Sequence, residues 1–226
     1  MDSMYRLIRS RRKTLAIYIT RDAEVEVRAS MNMSMAYIDR FVISKKQWIE
    51  KAVSKREQVK ASKEVFKLDY GHMLQFRGGQ YPIVAGVVRR PCFDGDAFVL
   101  PPGLTATEIK KATIGIYTDE AKKYVSGRLE GFCARLGVSP TRVRITGAMT
   151  RWGSCSAKKN INISWRLMMA SDEAIDYVIV HELAHLRELN HSPRFWALVD
   201  GVMPGHRSAR AQLKELDEKQ ATQDWR

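Results

Sequence analysis

Residues 181–185 read His181-Glu182-Leu183-Ala184-His185. On a helix, residues i and i+4 stand one above the other, so two imidazoles four apart converge on a single cation. The spacing suits zinc, whose bonds to imidazole nitrogen are about 2.0–2.1 Å. Glu182 turns toward the same opening and reaches a metal-bound water without being a ligand, which is the position of a general base. A third histidine, His191, follows six residues after His185, so three of the chain's five histidines fall within eleven residues. Asn190 tolerates the left-handed conformation that ends helices. Ser192-Pro193 then reads as an N-cap and the first residue of a new helix. His191 is therefore expected in a tight turn that folds its ring back over the first helix, as the third metal ligand. Asp200 and Glu215 are the rival third ligands.

Other chemistry-bearing residues are weaker candidates. Arg151 opens the turn-like run Arg151-Trp152-Gly153-Ser154-Cys155-Ser156 and could bind a carboxylate, a peptide carbonyl or a phosphate. Arg187 and Arg194 flank the metal turn and are candidate substrate contacts. Cys155, a cysteine without a partner spacing, reads as a buried thiol. Trp152, Trp165 and Trp196 read as core, and His72 and His206 as exposed, non-functional histidines.

The elements that must hold these residues follow from periodicity. Ser171 is an N-cap with Asp172 and Glu173 in the first turn, where the helix dipole favours acids. The helix it starts is expected from about Asp172 to Leu189. Upstream, residues 107–136 read as a long helix with apolar Ile109, Ile116, Tyr117, Tyr124 and Leu129, ended by Gly137. Val143–Thr146 and Ile161–Trp165 read as short strands. The second should lie beside the metal helix and, if it is an exposed edge, could hold an extended peptide. Before Pro101-Pro102-Gly103 the chain is strand-rich. Thr14–Ile19 and Val25–Ala29 alternate around a turn near Arg21-Asp22, and Tyr81–Val84 and Ala97–Leu100 flank the turn signal Asp94-Gly95. Helical spacing appears at Ile38–Val42 and again from Trp48, with Ser44 as the expected N-cap of the second helix. The expected organisation is a β-rich α+β region over residues 1–103 and a zincin-like metal-binding domain over residues 104–226, α+β in class.

Composition limits the partners. The 226 residues carry a net charge of +13. Residues 1–60 contribute +7 and residues 106–170 contribute +8, while residues 171–226 are at −3. The excess points to an anionic partner such as nucleic acid or a nucleotide, or to ordinary solubility charge, since no dense basic tract is present. No apolar run approaches the roughly 20 residues of a membrane span. Residues 1–13 hold five basic groups but no apolar stretch of secretory-signal length. Three widely spaced cysteines argue against a disulfide framework and for a reducing, cytoplasmic setting.

The runs Arg151–Ser156, Tyr177-Val178-Ile179-Val180-His181-Glu182-Leu183-Ala184-His185, Asn190-His191-Ser192 and Phe195-Trp196 resemble the YgjP-like metallopeptidase-domain family, a relative of the WLM and SprT-like zincins. The resemblance extends over most of the chain, including Arg12-Lys13-Thr14 and Trp48-Ile49. It implies a zincin-type α+β core, a zinc ion on three histidines and a hydrolase activity. Two departures stand out: Ser164 where the family usually has asparagine, and Ser171 where it usually has proline. The histidine spacing also equals that of the metzincins. Their glycine at the eighth position is replaced here by Glu188, so the turn is made differently and no Met-turn is expected.

Taken with the residues, the expectation is a zinc-dependent hydrolase, foremost a metallopeptidase, with a zinc-bound water activated by Glu182. A metal-dependent phosphohydrolase acting on a nucleoside triphosphate is the first rival. It gains from the basic segment 106–170 and loses from the absence of a glycine-rich phosphate loop. A DNA-associated metalloprotein that binds through residues 1–60 is the second, and salt-dependent binding to generic DNA would single it out.

Overall fold

The structure, a computed structural model, describes residues 4–20 and 22–225. Arg21, half of the turn expected at Arg21-Asp22, lies outside the described residues. The chain forms two compact units, one from residues up to Phe66 together with 221–225, the other from Lys67 to Gln220. The architecture is α+β, with three small sheets.

In the first unit, β1 (Arg6–Ser10), β2 (Ala16–Ile19) and β3 (Val25–Ser30) form a sheet of order β1-β3-β2. The β1–β3 pair is parallel and the β2–β3 pair antiparallel. Helices α1 (Met35–Ser44) and α2 (Lys46–Val65) follow. Val27 and Ala29 of the sheet meet Ile38, Val42 and Ile49 of the helices in one core. Ser34 caps α1 by accepting from the Tyr37 N–H. Ser44, expected to cap α2, instead ends α1, and its hydroxyl donates to the Phe41 carbonyl at 2.7 Å. The α2 N-cap position falls to Lys45, without a side-chain cap.

The second unit contains the helix that carries His181 and His185. Strands β4 (Met73–Phe76), β5 (Gly79–Ala85), β6 (Cys92–Phe93) and β7 (Phe98–Leu100) form a sheet of order β4-β5-β7-β6. Helix α3 (Ala106–Leu136) starts at a capping box, in which Thr105 and Glu108 satisfy each other's backbone N–H groups. It stops at Gly137, whose φ of 63° places it in the left-handed region. Tyr117 of α3 is fully buried against Phe98 at 5.3 Å and stacks on Trp165 at 5.7 Å, and its hydroxyl donates to the Gln75 carbonyl. That packing explains why Pro101-Pro102-Gly103, where the sequence suggested a domain break, lies inside this unit. β7 and α3 share one core across it.

The third sheet, of order β8-β10-β9, contains β8 (Arg142–Thr146), β9 (Gly153–Cys155) and β10 (Asn160–Ser164). It corrects two expectations. The run Arg151–Ser156, read as a turn, contains a strand. β10 does contact the helix of His181 and His185, as expected, but it is the central strand, parallel to β8 and antiparallel to β9, so the outer position beside that helix belongs to β9. Trp165, read as the end of β10, starts a short 3-10 turn (Trp165–Met169), which Ser164 caps. Ser164 also donates to the Ala148 carbonyl at 2.9 Å, tying down the segment before β9. Helices α4 (Asp172–Ala184), α5 (Pro193–Val202) and α6 (His206–Gln220) complete the unit. No helix among the described residues is long and apolar enough to cross a membrane.

Candidate active site

Helix α4 is fixed before it carries chemistry. Ser171 accepts from the Ala174 N–H and donates to Gln212 of α6 at 2.5 Å. Arg77, at the β4–β5 turn, grips Asp172 through two bonds of 2.8 and 2.6 Å, and its backbone N–H donates to the Met168 carbonyl. Ala174, Ile175, Val178, Ile179, Leu183 and Ala184 are buried, so the helix is wedged into the core with its register set. His181 and Glu182 sit in its last turn.

The helix ends at Ala184, five residues before the expected Leu189. Beyond it, the N–H groups of Leu186 and Arg187 donate to carbonyls three residues back, tightening the turn. Nδ1 of His185 lies 3.0 Å from the Glu188 carbonyl. A carbonyl only accepts, so Nδ1–H donates and Nε2 keeps its lone pair. Asn190 does not take the left-handed conformation expected of it. Its carbonyl accepts from the Ser192 N–H at 2.8 Å, a three-residue turn centred on His191. Ser192 then caps α5 and Pro193 stands in its first turn, as the sequence suggested.

These turns bring His181, His185 and His191 together, one nitrogen from each lying within 4.8 Å of the others. Nε2 of His181 and Nε2 of His191 are 3.1 Å apart. Two ligands of a tetrahedral zinc ion with bonds of about 2.0–2.1 Å stand about 3.3 Å apart, so this donor set fits zinc. Phe195, fully buried in α5, touches all three rings at 4.6–4.9 Å between centroids. The Tyr177 hydroxyl lies 3.4 Å from Nδ1 of His181. Burial, followed by the neighbouring imidazoles His185 and His191, pushes the His181 pKa down to about 4. Burial also lowers that of His191, with His185 and Arg210 adding to it. Both shifts keep the rings neutral, the form that binds metal.

Glu182 is 6% exposed and lies against Gly153 of β9. A Cβ at position 153 would stand 2.6 Å from Oε1 of Glu182, 2.7 Å from Cγ and 2.9 Å from Cδ. Only glycine leaves this space. Burial raises the Glu182 pKa to about 7, and the charge of Arg151 partly offsets it. A cleft of about 360 Å³ opens over His181 and Glu182, with Arg151, Arg210 and Lys214 among its lining residues.

The remaining candidates distribute as follows. Arg151 reaches the cleft. Arg194 is exposed at the start of α5 and does not line it. Arg187 donates to the Leu136 carbonyl at the end of α3. Asp200 sits 3.1 Å from His206, and neither it nor Glu215 joins the histidine cluster. Cys155 is a free, half-buried thiol whose pKa burial and the Glu182 charge push up. Cys92 and Cys133 are also free. Trp165 is core, and His72 is exposed, as expected.

His206 reverses its expectation. It is 5% exposed and stacks against Tyr177 at 5.7 Å and Trp196 at 5.3 Å. Trp196, expected in the core, is half-buried and also stacks on His191 at 5.7 Å. Tyr177 was readable as a neighbour of His181 from its i−4 spacing. Gly153, Phe195, His206 and Arg210 reach the site through tertiary contacts, for which the sequence carries no local signal.

Three imidazoles that could hold a metal ion thus gather around one point, with a sheltered carboxylate beside them. The YgjP-like metallopeptidase-domain model matches residues 13–216, and the chain belongs to that family. Among solved structures it is similar to the metallopeptidase zymogen abylysin of Pyrococcus abyssi, at 30% identity over 42% of this chain and 93% of that one, with a TM-score of 0.37. No curated protein sequence matches the chain.

Proposed function

We propose that the chain is a zinc-dependent metallopeptidase with a zincin-like centre, in which His181, His185 and His191 hold one zinc ion and Glu182 is the general base. The observation that carries this reading is the lodging of Glu182, shielded from solvent against Gly153 and adjacent in sequence to the first imidazole of the cluster. A zinc ion there would supply a Lewis acid and make a water nucleophilic near neutral pH. Glu182 accepts the proton of the attacking water on its carboxylate and returns it to the leaving nitrogen. Arg151, at the mouth of the cleft, is a group for binding a peptide carbonyl or carboxylate. The outer edge of β9 offers an extended peptide a place in the sheet, so strand addition moves from β10 to β9.

The test is Glu182→Gln, with peptides and nucleoside triphosphates screened together on zinc-loaded protein. Zinc content should stay near wild type, because the imidazoles are untouched. Peptide hydrolysis should fall by roughly 10²–10⁴-fold, the usual contribution of a positioned base. Near-normal turnover by the glutamine variant rejects the role of Glu182. Hydrolysis of triphosphates with no cleavage of any peptide rejects the substrate class.

A further inference from the structure

Two clefts meet on α6. The first opens over His181 and Glu182; the second, of about 700 Å³, is lined by Trp196 and Asp200 of α5 and by His206 and Arg207 of α6. Arg210 and Lys214, one helical turn apart, line both. Their surroundings leave positive charge unspent. Asp200 is engaged by His206 at 3.1 Å. Asp217, exposed and lining the first cleft beside them, accepts a hydrogen bond from Trp152. Among the described residues, no carboxylate forms an ion pair with Arg207, Arg210 or Lys214.

Arg210 is held nonetheless. Its guanidinium lies 5.5 Å from the centroid of Trp196, and the same indole stacks on His191. One aromatic ring therefore packs against both the cation and the histidine cluster. A guanidinium braced on a ring has lost side-chain freedom before any ligand arrives, which lowers the cost of binding. Its planar fork matches a carboxylate through two parallel hydrogen bonds, and Lys214 adds a point charge to the same wall.

We propose that Arg210 and Lys214, backed by Arg207, form a subsite for a carboxylate of the peptide substrate, either an acidic side chain near the scissile bond or the C-terminal carboxylate. This rests on the peptidase reading. It adds a substrate class: peptides that carry negative charge beside the bond to be cut. The expected selection is electrostatic, so it weakens as salt screens these exposed charges.

The experiment measures binding and cleavage separately. Labelled peptides differing only by Glu against Gln, and by a free against an amidated C-terminus, are titrated into zinc-loaded Glu182→Gln protein. Their kcat and KM are then measured on the wild type. The carboxylate peptide of at least one pair should bind about tenfold or more tightly than its neutral partner, and the pair that responds identifies the source of the carboxylate. Arg210→Ala and Lys214→Ala should each shrink that ratio toward one, and Arg210→Lys should restore part of it. Equal binding within both pairs, or a ratio that survives both alanine substitutions, overturns the subsite. Selective binding of acidic peptides with no cleavage by the wild type rejects the peptidase reading and leaves the subsite standing. Cleavage of charged and neutral peptides with equal kcat/KM does the reverse. A nucleoside triphosphate that depends on Arg210 and Lys214, with no peptide bound, replaces the peptide carboxylate by a phosphate and overturns the proposal.

Discussion

Replacing Gly153 by alanine tests how Glu182 is held. The added Cβ would arrive 2.6 Å from Oε1, 2.7 Å from Cγ and 2.9 Å from Cδ. Ordinary carbon contacts are about 3.5–4.0 Å, so either the carboxylate or β9 must give way by about 1 Å. The strand is constrained: Gly153 pairs with Ile163 of β10, and the Ser164 N–H donates to the Trp152 carbonyl at 2.8 Å. The side chain therefore moves. A displacement of about 1 Å of a positioned group costs on the order of 10² in rate. Overpacking of this kind costs about 1–3 kcal/mol of stability. The expected Gly153→Ala enzyme keeps its zinc, melts somewhat lower and loses about 10²-fold in kcat/KM on a peptide substrate. Glu182→Asp in the Gly153→Ala background, with one methylene removed, should recover part of that loss. Elemental analysis, thermal denaturation and steady-state kinetics read the three quantities. Full activity in Gly153→Ala would refute the reasoning, because the carboxylate could then act from a position in which the Cβ leaves it no room.

Other perturbations address the metal and the first unit. His191→Ala should weaken zinc binding by more than the roughly 10–100-fold that losing an outer-shell partner costs. Zinc retained in that variant but lost in Asp200→Ala or Glu215→Ala would reassign the third ligand. Tyr177→Phe removes the hydroxyl 3.4 Å from Nδ1 of His181 and should lower zinc affinity by up to about tenfold, measured by chelator competition. In the first unit, hydrogen bonds from Arg6 at 2.7 Å and Arg28 at 2.6 Å hold the Glu26 carboxyl below its ordinary pKa. A depressed pKa stabilises the fold above the unfolded value of about 4.3, and that stability is lost as pH falls through the folded value. Urea midpoints should therefore fall on acidification below pH 4, and less steeply in Glu26→Gln. Identical slopes would show that the pair of arginines contributes nothing to acid stability.

Local signals reached the helices and their caps, and failed where an element depends on a distant partner. Thr105, Glu108 and Gly137 bound α3 within one residue of the expected helix because each acts on backbone groups a few positions away. Arg6–Ser10 gave no alternation, since Leu7 and Ile8 are adjacent. Its strand exists because Leu7 registers with Val27 in a parallel ladder, which no short window contains. Pro101-Pro102-Gly103 marks a change of element correctly but says nothing about what the flanking elements bury. Phe98 and Tyr117 meet across it. The helix from Asp172 was expected to reach Leu189, yet Leu189 is exposed and the chain has already turned at His185. That early turn is what returns His191 to the first two imidazoles.

The site divides in the same way. His181, Glu182 and His185 were legible because helical geometry alone relates them, and His191 because proline and serine after it mark a new helix. What holds them was not legible. The imidazole Nδ1 atoms of His181 and His185 have two polar neighbours, at 3.4 and 3.0 Å, whereas Phe195 touches all three rings and Trp196 stacks on His191. The cluster is thus positioned more by aromatic packing than by polar contacts. Aromatic residues in a helix read as core from sequence, and by burial Phe195 is core. The wall behind Glu182 is the same case in miniature. Glycine in Trp152-Gly153-Ser154 reads as a turn residue, and its other meaning, a close approach between a strand and a helix, appears only when β9 is set against α4. A site can therefore announce its chemistry in five consecutive residues while the groups that fix its geometry remain dispersed through the fold.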